Sequence, residues 1–202
     1  MIVTNTELAE MISTRISHDL IGNIGALSSA LELLRENNNE LDEGSLDILN
    51  TASTTLKARQ TFFRIAFGLD TKSIDAQELD KICQDYLASV GSRAYPLTLE
   101  LNGASPDLAK FFCLCVMIGA EVCVRGGNIA ISVSKKNMII DVTSDYPLSA
   151  SKIGIYQDIL QNILPSDNVS QYVQLIYLRE LLGNDVAMHL SSEENHMQLI
   201  IG

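Results

Sequence analysis

Positive charge is scarce: 14 Lys and Arg stand against 25 Asp and Glu among 202 residues, a formal net charge of -11 with a pI near 4.6. A phosphate backbone or an anionic membrane surface needs a basic footprint, so neither nucleic acid nor membrane is an expected partner. No charged-then-apolar leader opens the chain, and the longest apolar run, residues 111–124, is interrupted by Gly119 and Glu121, so a cytoplasmic, unanchored protein is expected. The four cysteines are Cys83, Cys113, Cys115 and Cys123. Cys113 and Cys115 would lie about 200° apart on a helix, the wrong geometry for two ligands of one metal, so reduced packing residues are expected and no metal site. Strand signals are absent from the first third, and no repeat or low-complexity segment occurs.

What is present is an ordinary globular composition, 47% hydrophobic, arranged in two textures. In residues 6–36, Leu8, Ile12, Ile16, Leu20, Ile24, Leu27, Leu31 and Leu34 recur at steps of three and four, which predicts one long helix. A polar stretch, ENNNELDEGS (36–45), joins it to a second helix with a seam at Leu46, Leu49, Ser53, Leu56, Gln60, Phe63 and Phe67, and Ser45 or an acidic neighbour is its expected cap. Two helices this long cannot cover their own apolar stripes. A homodimer through residues 6–68, a four-helix bundle made by two copies, is therefore expected.

After GLDTKS the pattern becomes α, β, α, β, β, α, α, β, β, which fits an antiparallel or mixed sheet with helices on one face. Helices are expected at 74–90, from Ser105 with Pro106 at its first position, at 151–163, and at 169–182 stopped by Gly183 and Asn184. Strands are expected at 95–101, in NIAISVS and NMIIDVTS, and twice more near the carboxyl end. The fold class is α+β, with residues 1–70 a helical hairpin and 71–202 a second, α/β domain.

Chemistry concentrates in SHDLIGNIGALSSALELL. With Ile12 set to zero, the apolar positions from Ile16 to Leu34 fall between about 40° and 120° on the helical wheel, and His18 near 240°. Arg15, Gly22, Gly25 and Ser29 share its side. Glycine costs about 1 kcal/mol per helix position relative to alanine, so a face of glycines is expected to admit something large. Asp19, one residue on, can hold one ring nitrogen of His18 protonated and leave the other as a nucleophile. Three consecutive helical side chains point in three directions, so SHD is not a serine triad.

SHDLIGNIGALSSALELL resembles the H-box of sensor histidine kinases, and RQTFFRIAFG (59–68) resembles the end of the second helix in bacterial histidine phosphotransferases of the ChpT type. The likeness is strong over 12–68 and looser beyond. It implies a dimerising hairpin that carries the phosphoacceptor His18, and a carboxyl part that is a degenerate kinase ATP-binding domain. In FFCLCVMIGAEVCVRGGNIAISV, Cys and Met stand where a kinase has its metal-holding asparagine; SDYPLSA replaces the Asp-x-Gly-x-Gly loop; SDNVSQYVQLIYLREL lacks the second glycine loop. Without glycine nests a triphosphate has no cradle. The H-box proline is Asn23.

The implied activity is that of a histidine phosphotransferase in a two-component phosphorelay. His18, assisted by Asp19, takes a phosphoryl group from the receiver-domain aspartate of a hybrid histidine kinase and passes it to a response regulator. No cofactor is expected on this chain, the receiver supplying Mg²⁺. Met11, Ile21, Gly22 and Gly25 are expected to form a rim for a receiver helix, Arg15 and Lys57 to meet its charges, and Arg59 or Arg64 to approach His18 from the second helix. An ATP-dependent histidine kinase and a non-catalytic dimeric adaptor that binds a response regulator are the rival readings. His189 and His196 read as surface or packing residues.

Overall fold

The computed structural model describes residues 3–36, 43–69, 74–183 and 185–202. The expected turn between the first two helices, most of the GLDTKS junction and the stop at Asn184 lie outside the described residues.

Helix α1 (Asn5–Glu36) is 32 residues long. It starts one residue earlier than its apolar pattern, because Thr4 and Glu7 form a reciprocal cap: the Thr4 N–H and hydroxyl donate to Glu7 Oε2 at 2.7 and 2.8 Å, and the Glu7 N–H returns a bond to Thr4 Oγ1 at 3.2 Å. Helix α2 (Glu43–Phe67) packs along α1. Ser45 sits inside α2 and is buried, so it does not cap the helix from outside.

The apolar stripes do not all turn inward. On α1 the most covered positions of the distal half are Asn23, Ala26, Leu27, Ala30 and Leu34, whereas Ile24 and Leu31 stay 50% and 51% exposed. On α2 the expected seam holds at Leu49, Leu56, Phe63 and Phe67, but Leu46, Ser53 and Gln60 are exposed, and the small residues Ser45, Ala52 and Ala66 are buried instead. Small side chains let two helices approach closely. One antiparallel neighbour then covers only part of a stripe this wide.

The foot of α2 enters the main core. Phe62 stacks on Tyr86 of α3 (Ala76–Val90) with ring centroids 3.8 Å apart, and one buried cluster runs from Val3, Phe62 and Phe63 through to Leu199 and Ile201. Asp75 caps α3, accepting the Glu78 N–H at 2.8 Å.

The sheet is mixed. Strands β1 (Leu97–Asn102), β2 (Gly127–Val133), β3 (Met138–Thr143), β4 (Met188–Glu193) and β5 (His196–Ile201) lie in the order β1-β2-β3-β5-β4, with β1 and β2 parallel and the other pairs antiparallel. Alternation sends Ile129, Ile131, Ile140, Val142, Met197 and Leu199 into the core. Helices α4 (Ala109–Val122), α5 (Ala150–Leu160) and α6 (Val173–Leu182) pack with them. The two expected helices that begin near Pro106 and Val169 each open as a short 3-10 turn, Pro106–Leu108 and Val169–Tyr172, and Ser105 makes no side-chain cap.

Helix α4 is the centre of the domain, with ten of its 14 residues buried. A Cβ at Gly119 would stand 2.9 Å from Ile129, so glycine is what lets the helix lie this close to β2. Cys83, Cys113 and Cys115 are free and buried, as packing residues. No described helix is long and apolar enough to cross a membrane.

Candidate functional site

His18 stands out from α1 with 74% of its side chain exposed, and its Nδ1 lies 3.2 Å from Asp19 Oδ1. An imidazole with Nδ1 turned to a carboxylate presents Nε2 outward. Ile21 is 67% exposed beside it. Gly22 and Gly25 border open space, where an added Cβ would meet nothing within 4 Å. The glycine face expected from the sequence is thus open in the folded chain.

Asp19 is held from two sides. Its Oδ2 accepts the Arg15 Nε–H at 2.8 Å, and its backbone carbonyl accepts Arg59 Nη1 at 2.5 Å. Arg59 also donates to the Ser89 carbonyl at 2.8 Å and to Ser89 Oγ at 3.3 Å, which ties α2 to α3 beside the site. Arg59 therefore approaches from the second helix as expected, reaching Asp19 rather than the imidazole. A cavity of about 490 Å³ opens beside Asp19, walled by Arg15, Arg59, Glu121, Lys152 and Tyr95 among others.

Arg15 and Met11 depart from expectation. The wheel places both near His18, but that side of α1 at the level of these residues is covered by the carboxyl-terminal domain. Met11 is half-buried against the main core. Arg15, only 7% exposed, donates Nη1 to the Gln171 carbonyl at 2.9 Å and Nη2 to Glu121 Oε1 at 2.5 Å, so it is spent inside the molecule. Arg15 is not free to meet a partner, and Met11 keeps only part of its surface open. Lys57 is exposed but lies two residues from Arg59, hence about 200° around α2; it borders a groove between α2 and α3 with Lys81 and Asp85, apart from the His18 cluster. Arg64 is exposed on the last turn of α2.

Glu121 and Lys152 were not expected at the site. Glu121, near the end of α4, takes Arg15 on one oxygen and Lys152 of α5 on the other. Burial alone would push its carboxyl up, but Arg15 and Lys152 outweigh that and hold it below the ordinary value. Burial likewise disfavours the Arg15 charge, and the carboxylates of Glu121 and Asp19 reverse the effect, leaving the guanidinium more firmly protonated than usual. The signal was in the sequence: a lone carboxylate inside an otherwise apolar run must find a cation when the run is buried.

Asn23, at the position of the H-box proline, lies within an unbroken α-helix. Its side-chain amide nitrogen is buried and finds no acceptor among the described residues. His189 is exposed. His196 pairs with Asp141 across the sheet, 2.9 Å from Nε2 to Oδ1.

A long helical hairpin with an exposed histidine is here backed by a five-stranded α/β domain. A solved structure described as a bacterial phosphotransferase superposes with a TM-score of 0.77 at 22% identity, covering 99% of this chain and 98% of that one. The histidine kinase AdeS of Acinetobacter baumannii aligns over 91% of this chain with a TM-score of 0.43. In sequence the chain is similar to Protein phosphotransferase ChpT of Brucella abortus (strain 2308), 28% identical over 132 residues, which are 62% of this chain. The match spans 60% of the Brucella protein's length. No family model matches. The ChpT-type resemblance is carried by the sequence match, and the fold is shared with the bacterial phosphotransferase structure.

Proposed function

We propose that the protein is a histidine phosphotransferase of a two-component phosphorelay, working in the cytoplasm. Its exposed His18, with Nδ1 against the Asp19 carboxylate and an open glycine face alongside, is the observation that carries the reading. The neutral imidazole attacks the phosphorus of a receiver's aspartyl phosphate through Nε2. The N–P bond forms, the P–O bond to the receiver's carboxylate breaks, and its electron pair leaves with that carboxylate. Nδ1 keeps its proton throughout, and Asp19 stabilises the positive charge that the phosphorylated ring acquires. The carboxylate of a second receiver then attacks the same phosphorus, and the electron pair of the N–P bond returns to Nε2.

Little else is asked of this chain, because the reaction is mainly positioning and charge neutralisation and the receiver brings Mg²⁺. The receiver lands on Ile21, Gly22 and Gly25. In the carboxyl-terminal domain the segments that would hold ATP lack their asparagine and glycines, and the Arg15, Glu121 and Lys152 charges facing the cavity are paired with one another, which supports a reading without ATP. Two chains pair through the uncovered stripes of α1 and α2, where Ile24, Leu31 and Leu46 are about half exposed.

Transfer from a phosphorylated receiver to the wild type and to His18→Ala tests this. The wild type takes the label and the variant takes none; a variant that becomes labelled ends the reading. A protein that binds the receiver equally well before and after the substitution, with no label on either, is an adaptor.

A further inference from the structure

Asp19 is one end of a chain of charges that crosses the molecule. Arg15 and Asp19 are spaced as an ordinary i,i+4 pair, and on an exposed helix such a pair is weak and moves among geometries. Here the Arg15 side chain is only 9% exposed. Three of its contacts are fixed at once: Nε on Asp19 Oδ2, Nη1 on the Gln171 carbonyl and Nη2 on Glu121 Oε1. Glu121 is in turn held through Oε2 by Lys152. The planar fork of arginine suits this arrangement, since its donors leave in set directions and a lysine would supply a point charge alone. Two of the three anchors come from the carboxyl-terminal domain, more than 100 residues along the chain.

The geometry points to Glu121 and Arg15 as positioning residues for the phosphoryl-transfer step: Glu121 aims Arg15, and Arg15 occupies Asp19 Oδ2 so that Oδ1 is left for His18 Nδ1. This rests on the phosphotransfer reading and adds to it. The carboxyl-terminal domain, without ATP chemistry, then has a part in the site, because it holds the strut that orients the acid beside the nucleophile. A structural ion pair would bind the domain to the hairpin and have no effect on the imidazole. A positioning strut sets which ring nitrogen carries the proton. With Asp19 aimed, the neutral ring is held as the Nδ1–H tautomer and Nε2 keeps its lone pair for phosphorus; with Asp19 free to swing, both tautomers are populated and part of the protein has its proton on the attacking atom.

The test is made on the full chain with ¹⁵N-labelled histidine. Glu121→Gln is expected to move His18 from the Nδ1–H tautomer toward a mixture. It should also lower kcat for transfer about tenfold, within the range that misplacement of a reacting group produces, with KM for the receiver unchanged. Glu121→Asp, which keeps the charge, restores part of both. Lys152→Gln, one link further away, shifts both in the same direction by less, and serves if Glu121→Gln fails to fold. A Glu121→Gln protein with wild-type tautomer and kcat overturns the inference, as does a loss confined to KM. The tautomer is read without any phosphodonor, so a wild type that accepts no phosphoryl group removes the function proposed above while the strut is still judged by the imidazole.

Discussion

The two halves of the molecule bury their residues very differently. In α4, ten of 14 residues are buried, whereas in the 32 residues of α1 only Arg15 and Ala30 are, and one of those is an arginine. The carboxyl-terminal domain is complete within one chain: its sheet and helices enclose a continuous core, joined at one edge by Phe62 and Phe63 of α2. The distal hairpin has an apolar stripe and only half of a cover. A region that buries so little either contributes little stability or is completed by another molecule, and the proposed dimer takes the second course.

Two substitutions in parallel would break that comparison most forcefully. Phe112→Ala empties a fully buried site in α4 and should cost about 3–5 kcal/mol in urea unfolding, at every protein concentration. Leu31→Ala, half exposed in a single chain, should cost about 2 kcal/mol where the dimer is populated and close to nothing in dilute monomer. Light scattering would show the mass falling from two chains to one at lower dilution than in the wild type. A Leu31→Ala effect independent of concentration would mean that the hairpin is not completed by a second copy.

The junction between the halves should respond to acid before either half does. The Glu121 carboxyl is held below its ordinary value of 4.5, so its tie to Arg15 and Lys152 stabilises the folded state above that pH and is lost as pH falls through the lower, folded value. On acidification, hydrogen exchange should rise first at the contact of α1 with α4 and the Val169–Tyr172 turn, while the amides of β2 and β3 stay protected. Glu121→Gln should remove this step, leaving one transition. If both halves lose protection together in the wild type, Arg15 is not what docks them.

How much of this was legible follows the same division. The long helices, the hairpin of β2 and β3, the exposed side of His18 and its pairing with Asp19 all follow from spacing along a few turns of chain, where local geometry decides. Arg15 departs from its expected place because a helical wheel says which residues share a side and nothing about what covers it; the residues that hold it, Gln171 and Glu121, come from more than 100 positions away. Ile24 and Leu31 show the converse. Their pattern asks for burial, and a single chain does not supply it.

The smallest effect separates the two uses of α1 most cleanly. Gly22 has no neighbour within 4 Å of an added Cβ and sits mid-helix, so Gly22→Ala should raise stability by about 1 kcal/mol through helix propensity alone. In most helices that substitution is free of penalty. On the proposed function, the added methyl stands on the face where a receiver comes close to His18, and a misplacement of about 1 Å can slow a transfer about a hundredfold. A variant with a higher Tm and slower transfer, in which His18 keeps its wild-type tautomer, would show that the glycine serves the partner rather than the fold. The unchanged tautomer is what tells this effect from that of Glu121→Gln, which acts on the imidazole from within the molecule. A stabilised variant that transfers at the wild-type rate would place the receiver elsewhere on α1, nearer Ile21 than Gly22.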